Sequence, residues 1–161
     1  MRRRRVQIAV VGAARCDARL ARLAEEVGRG VAEAGATVVC GGLGGVMTAV
    51  ARGAHAVGGT VVGVLPGYSH ADGNAHLDVV LPTGLGHARN AVVAAAGDAV
   101  IALPGAAGTR SEVALARALG RPVIALGRET EEEHGVTAAS TPADAVRRAV
   151  AAARRRLQVA R

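Results

Sequence analysis

The sequence predicts a single α/β domain, residues 6–156, built on a doubly wound and mainly parallel sheet. Three observations carry this expectation. Short apolar runs such as "VQIAVV", "ATVVC" and "TVVGVL" are continuous rather than alternating, as strands buried on both faces are. Helical stretches separate these runs, so strand and helix alternate along the chain. Glycine-rich turns stand where a strand hands over to a helix.

Residues 6–11 form the first strand, ending at Gly12. Asp17 stands at the N-cap of a charged amphipathic helix over 17–34, and Gly35 takes the C′ position, where a left-handed residue belongs. Residues 36–40 are the second strand and break into "GGLGG", after which a helix over 46–56 stops at Gly58-Gly59. Strands at 60–65 and 77–81 bracket the polar loop "PGYSHADGNAH". A helix over 86–96 has a small apolar second half, "AVVAAA", with little polar face to show water, and is the expected subunit interface. The strand 98–103 leads through "PGAAG" to a helix over 109–119, closed by Gly120. A strand at 122–126, the acidic loop "RETEEEHG" and a terminal helix from Pro142 complete a Rossmann-like order of elements.

Composition narrows the function classes. Phe and Trp are absent and there is one Tyr, so the core is built from Val, Leu, Ile and Ala, and base-stacking platforms for single-stranded nucleic acid are nearly ruled out. The net charge of +7 sits at the two ends, and residues 6–153 carry 12 Arg against 13 acidic side chains. The segments 1–5 and 157–161 are therefore expected to be solvated basic tails, with no sequence-specific nucleic acid as partner. Lys is absent, which removes Schiff-base chemistry and the Walker lysine. Cys16 and Cys40 make no disulfide framework, and the five His show no metal-ligand spacing, so no metal is expected. The start "RRRRVQIAVVGAA" looks superficially like a signal peptide, but its apolar stretch is short and holds Gln7. No run approaches the ~20 apolar residues a bilayer requires, and a cytoplasmic protein without membrane partners is expected.

The strongest functional signal is convergence. Loops 41–45, 83–86 and 104–108 each follow a strand and precede a helix, so all three should open on the sheet edge where doubly wound folds bind ligands. A glycine turn entering a helix presents backbone N–H groups at the positive end of the helix dipole, a ready site for phosphate. The candidates for phosphate or nucleotide binding are Gly12, Gly41, Gly42, Gly44, Gly45, Met47, Pro104, Gly105, Gly108 and Thr109, with Asn90 beside them. Each loop alone reads equally well as turn geometry.

Two charged residues admit two readings each. "TRSE" is a capping-box pattern, in which Thr109 and Glu112 satisfy the amides of their own helix; alternatively Glu112 is a catalytic carboxylate. Arg89 lies in the first turns of a helix, where a cation opposes the dipole. It is either a solvated surface group or a planar fork facing an anion in the pocket, with His87 and Asn90 flanking it.

"GGLGGVMTAVARGAHAVGGTVVGVLP", "TGLGHARN" and "DAVIALPGAAGTRSEVALARALGRPVI" together resemble the LOG superfamily, which contains phosphoribohydrolases and the molybdenum-cofactor carriers. "GGLGGVM" and "TGLGHARN" look more like the carrier-type bacterial group. The resemblance implies catalytic roles for Arg89 and Glu112, a phosphate held by Gly105, Gly108 and Thr109, and a homodimer or homotetramer. In the hydrolases the ligand would be AMP or another nucleoside 5′-monophosphate, cleaved at the N-glycosidic bond with no cofactor required. In the carriers it would be molybdenum cofactor. Three positions depart from the hydrolase pattern: Ala106 replaces its second glycine, Asn90 its lysine, and Thr48 a glycine. They weigh on catalysis more than on phosphate binding.

Overall fold

A computed structural model describes residues 4–127 and 135–159. Seven strands form one wholly parallel sheet in the order β4-β3-β2-β1-β5-β6-β7. They are β1 Gln7–Val11, β2 Thr37–Cys40, β3 Val61–Leu65, β4 Val79–Pro82, β5 Ala99–Ala102, β6 Val123–Leu126 and β7 Thr137–Ala139. The helices are α1 Ala18–Glu33, α2 Val46–His55, α3 Arg89–Ala96, α4 Ala107–Ala118 and α5 Pro142–Val159, with two short 3₁₀ turns at His70–Asp72 and Gly86–Ala88. Among the described residues no helix is long and apolar enough to cross a membrane.

The continuous apolar runs make two cores because successive strand residues face opposite ways. Ile8, Val10, Val38, Cys40 and Ile101 point to one face, beneath α1, α2 and α5. Ala9, Val11, Val39, Val100 and Ala102 point to the other, beneath α3 and α4. α1 and α2 meet backbone to backbone. A Cβ on Gly28 would lie 2.0 Å from the Val50 carbonyl oxygen, and one on Gly53 would lie 2.1 Å from that of Glu25. Asp17 caps α1 by accepting the Leu20 amide at 2.8 Å, and Gly35 follows the helix at φ +74°.

Four expectations are corrected. The short strand β7 was not foreseen: it is three residues of "TAA" with two of them exposed, too short and too polar to leave a periodic signal. β4 runs 79–82 rather than 77–81, because the Asp78 carboxylate takes the Val61 amide at 2.8 Å just before the ladder starts. α4 begins at Ala107, ahead of the expected Thr109, with Ala106 as an N-cap that offers no side-chain bond. Arg4 is no solvated tail: its guanidinium forks onto the buried carboxylate of Asp98 at 2.7 and 3.0 Å, with Arg156 on the same carboxylate at 3.8 Å. Arg2, Arg3, Arg161 and the acidic segment 128–134 lie outside the described residues.

Candidate functional site

β1 and β5 are neighbours in space, yet the chain builds outward from them in opposite directions, which opens a crevice beyond their C-terminal ends. A cavity of about 240 Å³ occupies it. Eight of the sequence-derived candidates line this cavity: Gly12, Gly41, Met47, Arg89, Asn90, Gly108, Thr109 and Glu112.

The other five stand behind the wall. Gly42 and Gly45 have φ of +75° and +62°, and a Cβ on Gly45 would meet the Ala13 carbonyl oxygen at 2.3 Å, so turn geometry and close packing explain both. Gly44 belongs to the same turn and accepts the Met47 amide at 3.2 Å. Pro104 accepts the Ala13 amide at 3.0 Å, tying the β5–α4 turn to the end of β1. A Cβ on Gly105 would sit 2.0 Å from the Thr109 hydroxyl oxygen, so this glycine lets α4 close over the turn. Ala13, Ala14 and Leu43 also line the cavity. They are small or apolar residues in loops, with no chemistry that would single them out.

The two glycine loops prove unequal. At α2 the first amides are used internally: Val46 donates to Ala13 at 2.9 Å and Met47 to Gly44. At α4 the first intrahelical bond is Arg110 to Ala106 at 3.1 Å, and no side chain caps the turn before it. The N–H groups of Ala107, Gly108 and Thr109 therefore stand at the positive end of a twelve-residue helix, where Ala106, Gly108 and Thr109 line the cavity.

The capping-box reading of Glu112 is overturned by the same geometry. With the N-cap at Ala106, Thr109 is the third residue of the helix and Glu112 the sixth, too far along to reach the first amides. Glu112 instead lies buried against the cavity, and burial raises its carboxyl from 4.5 to about 7, with Arg89 acting in the opposite direction. The Arg89 Nη1 to Glu112 Oε1 distance is 3.9 Å, an open ion pair with room for change.

Arg89 is the first residue of α3 and is buried, so the solvated-surface reading fails. Its guanidinium donates to the Asn90 side-chain oxygen and, at 3.4 Å, to the Gly41 carbonyl. Gly41 must be glycine for this: a Cβ there would lie 2.9 Å from Nη2 of Arg89 and 2.6 Å from the Met47 sulfur. Asn90 is held in turn. Its amide donates to Ser111 Oγ at 3.0 Å, and that hydroxyl donates to the Gly108 carbonyl at 2.7 Å. A continuous polar chain thus joins the open end of α4 to the guanidinium. Ser111 was missed from sequence because its part depends on a contact 21 positions away. Burial lowers the proton affinity of Arg89, Glu112 partly restoring it, and its Nε has no hydrogen-bond partner among the described residues.

The cavity thus brings the uncapped start of α4 together with a titratable carboxylate beside a cation that its neighbours hold. Among the described residues no group of three or more His, Cys, Asp or Glu side chains is placed to hold a metal ion.

Residues 5–153 match the SLOG cluster4 family. An uncharacterized protein of Archaeoglobus fulgidus is 41% identical over 141 residues, 88% of this chain and 92% of that protein. A cytokinin riboside 5′-monophosphate phosphoribohydrolase of Rhodococcoides fascians is 42% identical over 97 residues, 56% of this chain, which spans about half (48%) of the hydrolase's length. Among solved structures, the molybdenum cofactor binding protein of Rippkaea orientalis superposes with a TM-score of 0.87 at 30% identity, over 92% of this chain and 97% of its own. The molybdenum cofactor carrier protein of Chlamydomonas reinhardtii gives 0.81 at 30% identity, over 92% and 99%. The chain belongs to the SLOG cluster4 family.

Proposed function

We propose that the protein is a phosphoribohydrolase that cleaves the N-glycosidic bond of a nucleoside 5′-monophosphate. The observation that carries this reading is Glu112: a buried carboxylate, not committed to its helix cap, with a pKa near 7 and a cation 3.9 Å away in the same cavity as the open amides of α4.

In this reading the N–H groups of Ala107, Gly108 and Thr109 receive the 5′-phosphate, and its binding energy fixes the ribose over Glu112. As a carboxylate, Glu112 takes a proton from water as the water oxygen bonds to C1′, and it steadies the positive charge that builds on the sugar. The C1′–N bond breaks with its electron pair going to the base. Arg89 eases that negative charge, and the proton held by Glu112 passes to the base. Water and nucleotide thereby yield free base and ribose 5-phosphate. A carboxyl that titrates near neutrality suits both halves of that proton transfer.

A second reading is favoured by one observation of its own. The molybdenum-cofactor proteins match this chain over nearly their whole length, whereas the hydrolase matches over half of its own. There the same amides would seat the phosphate of a molybdopterin, and Glu112 and Arg89 would bind without chemistry. Incubation with a panel of nucleoside 5′-monophosphates, followed by chromatography of free base, separates the two. The hydrolase reading expects base and ribose 5-phosphate in equal amounts, and none from the unphosphorylated nucleosides. Tight retention of molybdopterin with no base released would favour the carrier.

A further inference from the structure

A second cavity, of about 450 Å³, lies apart from the crevice, between α5 and the strands β6 and β7. Arg147, Arg148 and Arg155 line it from the helix, Ala151 and Ala152 lie between them, and Ile124 and Thr137 supply the sheet side. Positions 147, 151 and 155 are spaced by four, as are 148 and 152, so the arginines share one helix face. Eight residues at 1.5 Å each set Arg147 and Arg155 roughly 12 Å apart along the axis. The alanines between them leave the space open.

Charge in this groove is unbalanced. Arg147 and Arg148 both pair with Asp144, Arg148 at 2.9 Å. Arg156 pairs with Asp98 on its other side, while Arg155 is exposed and forms no ion pair among the described residues. Among the described residues, three guanidiniums therefore meet one carboxylate. Attraction to the negative end of the helix would account for arginines in the last turn, but Arg147 and Arg148 stand near the helix start.

Guanidinium forks match phosphate oxygens two at a time. A single phosphate needs donors converging on a point, whereas these are strung along a line, which suits a chain of phosphates. No aromatic side chain lines the groove, so bases would find no stacking partner and recognition would stop at the backbone. Donors spread over roughly 12 Å along one helix face match the consecutive phosphates of one strand.

We infer that the α5 groove holds the sugar–phosphate backbone of a single-stranded nucleic acid without reading its bases. The test is fluorescence anisotropy of a labelled oligothymidylate, about 20 nucleotides long, titrated with the full chain at salt from 50 to 200 mM. With three phosphates neutralised, the logarithm of affinity should fall against the logarithm of salt with a slope of about −2. The R147Q/R155Q variant should bind at least tenfold more weakly, with a slope shallower by about 1.4. Oligoadenylate should bind within a few-fold of oligothymidylate. Binding should survive R2Q/R3Q, Glu112→Gln and saturating ribose 5-phosphate unchanged, so failure of the phosphoribohydrolase reading would not affect it. The inference is overturned by absence of binding, by binding that R147Q/R155Q leaves intact, by loss through R2Q/R3Q instead, by displacement with ribose 5-phosphate, or by binding confined to inorganic polyphosphate.

Discussion

Arg89 and Glu112 face each other across 3.9 Å in the cavity, although they stand on different helices and 23 positions separate them in the chain. Arg89 is fixed by Asn90 and Gly41, whereas Glu112 accepts no hydrogen bond among the described residues. The cation is thus anchored and the carboxylate is free to titrate.

That freedom has a pH signature. The folded chain holds Glu112 protonated up to about pH 7, whereas the unfolded chain releases the proton near 4.5. The resulting stabilisation is complete below pH 4.5 and is lost as pH rises through 7, by an amount on the order of 3 kcal/mol at most. Glu112→Gln should lack this dependence, so denaturant titrations at pH 5 and pH 8 should show the native chain losing stability relative to the variant. Turnover of a nucleoside monophosphate should rise through about pH 7 as Glu112 ionises, and the variant should lose at least a hundredfold in rate.

Gly41 should matter to the ligand more than to the fold. Gly41→Ala puts a methyl group against the guanidinium of Arg89 and the Met47 sulfur, both of them ends of flexible side chains that can give way. The melting temperature should change little, while displacement of Arg89 should weaken ligand binding or turnover tenfold or more. Parallel calorimetry and kinetics on one preparation check both halves.

Gly53 should behave in the opposite way. A methyl group there meets the backbone of Glu25, which cannot move without parting α1 from α2. Gly53→Ala should cost about 1–3 kcal/mol, or more if the helices separate, read as a fall in the denaturant midpoint.

Arg4 ties the chain's beginning to the foot of β5. Arg4→Ala leaves the buried carboxylate of Asp98 with the Gln7 amide at 2.9 Å and the more distant Arg156. Because Arg4 is itself half exposed, the expected loss is about 1 kcal/mol. Thermal denaturation should register it while ligand affinity stays unchanged.

These residues also mark how far the sequence could be read. Strands buried on both faces leave continuous apolar runs, so six of the seven and their order along the chain were legible. β7 was not, since its pairing with β6 comes from the ladder and not from side chains of its own. The gathering of the three loops at one edge follows from parallel topology and was readable too. The start of α4 was misplaced because no capping side chain marks it, and that shift of two residues decides whether Glu112 is a cap or faces the cavity. The anchoring of Arg4 was invisible because Asp98 is 94 positions away.

The proposal that the open amides of α4 seat a phosphate is most directly tested by amide chemical shifts during titration with ribose 5-phosphate. The largest changes should fall on Ala107, Gly108 and Thr109, with smaller ones at Arg89 and Asn90, and they should saturate together. Shifts concentrated on Arg147 to Arg155, or an unchanged spectrum at the start of α4, would contradict it.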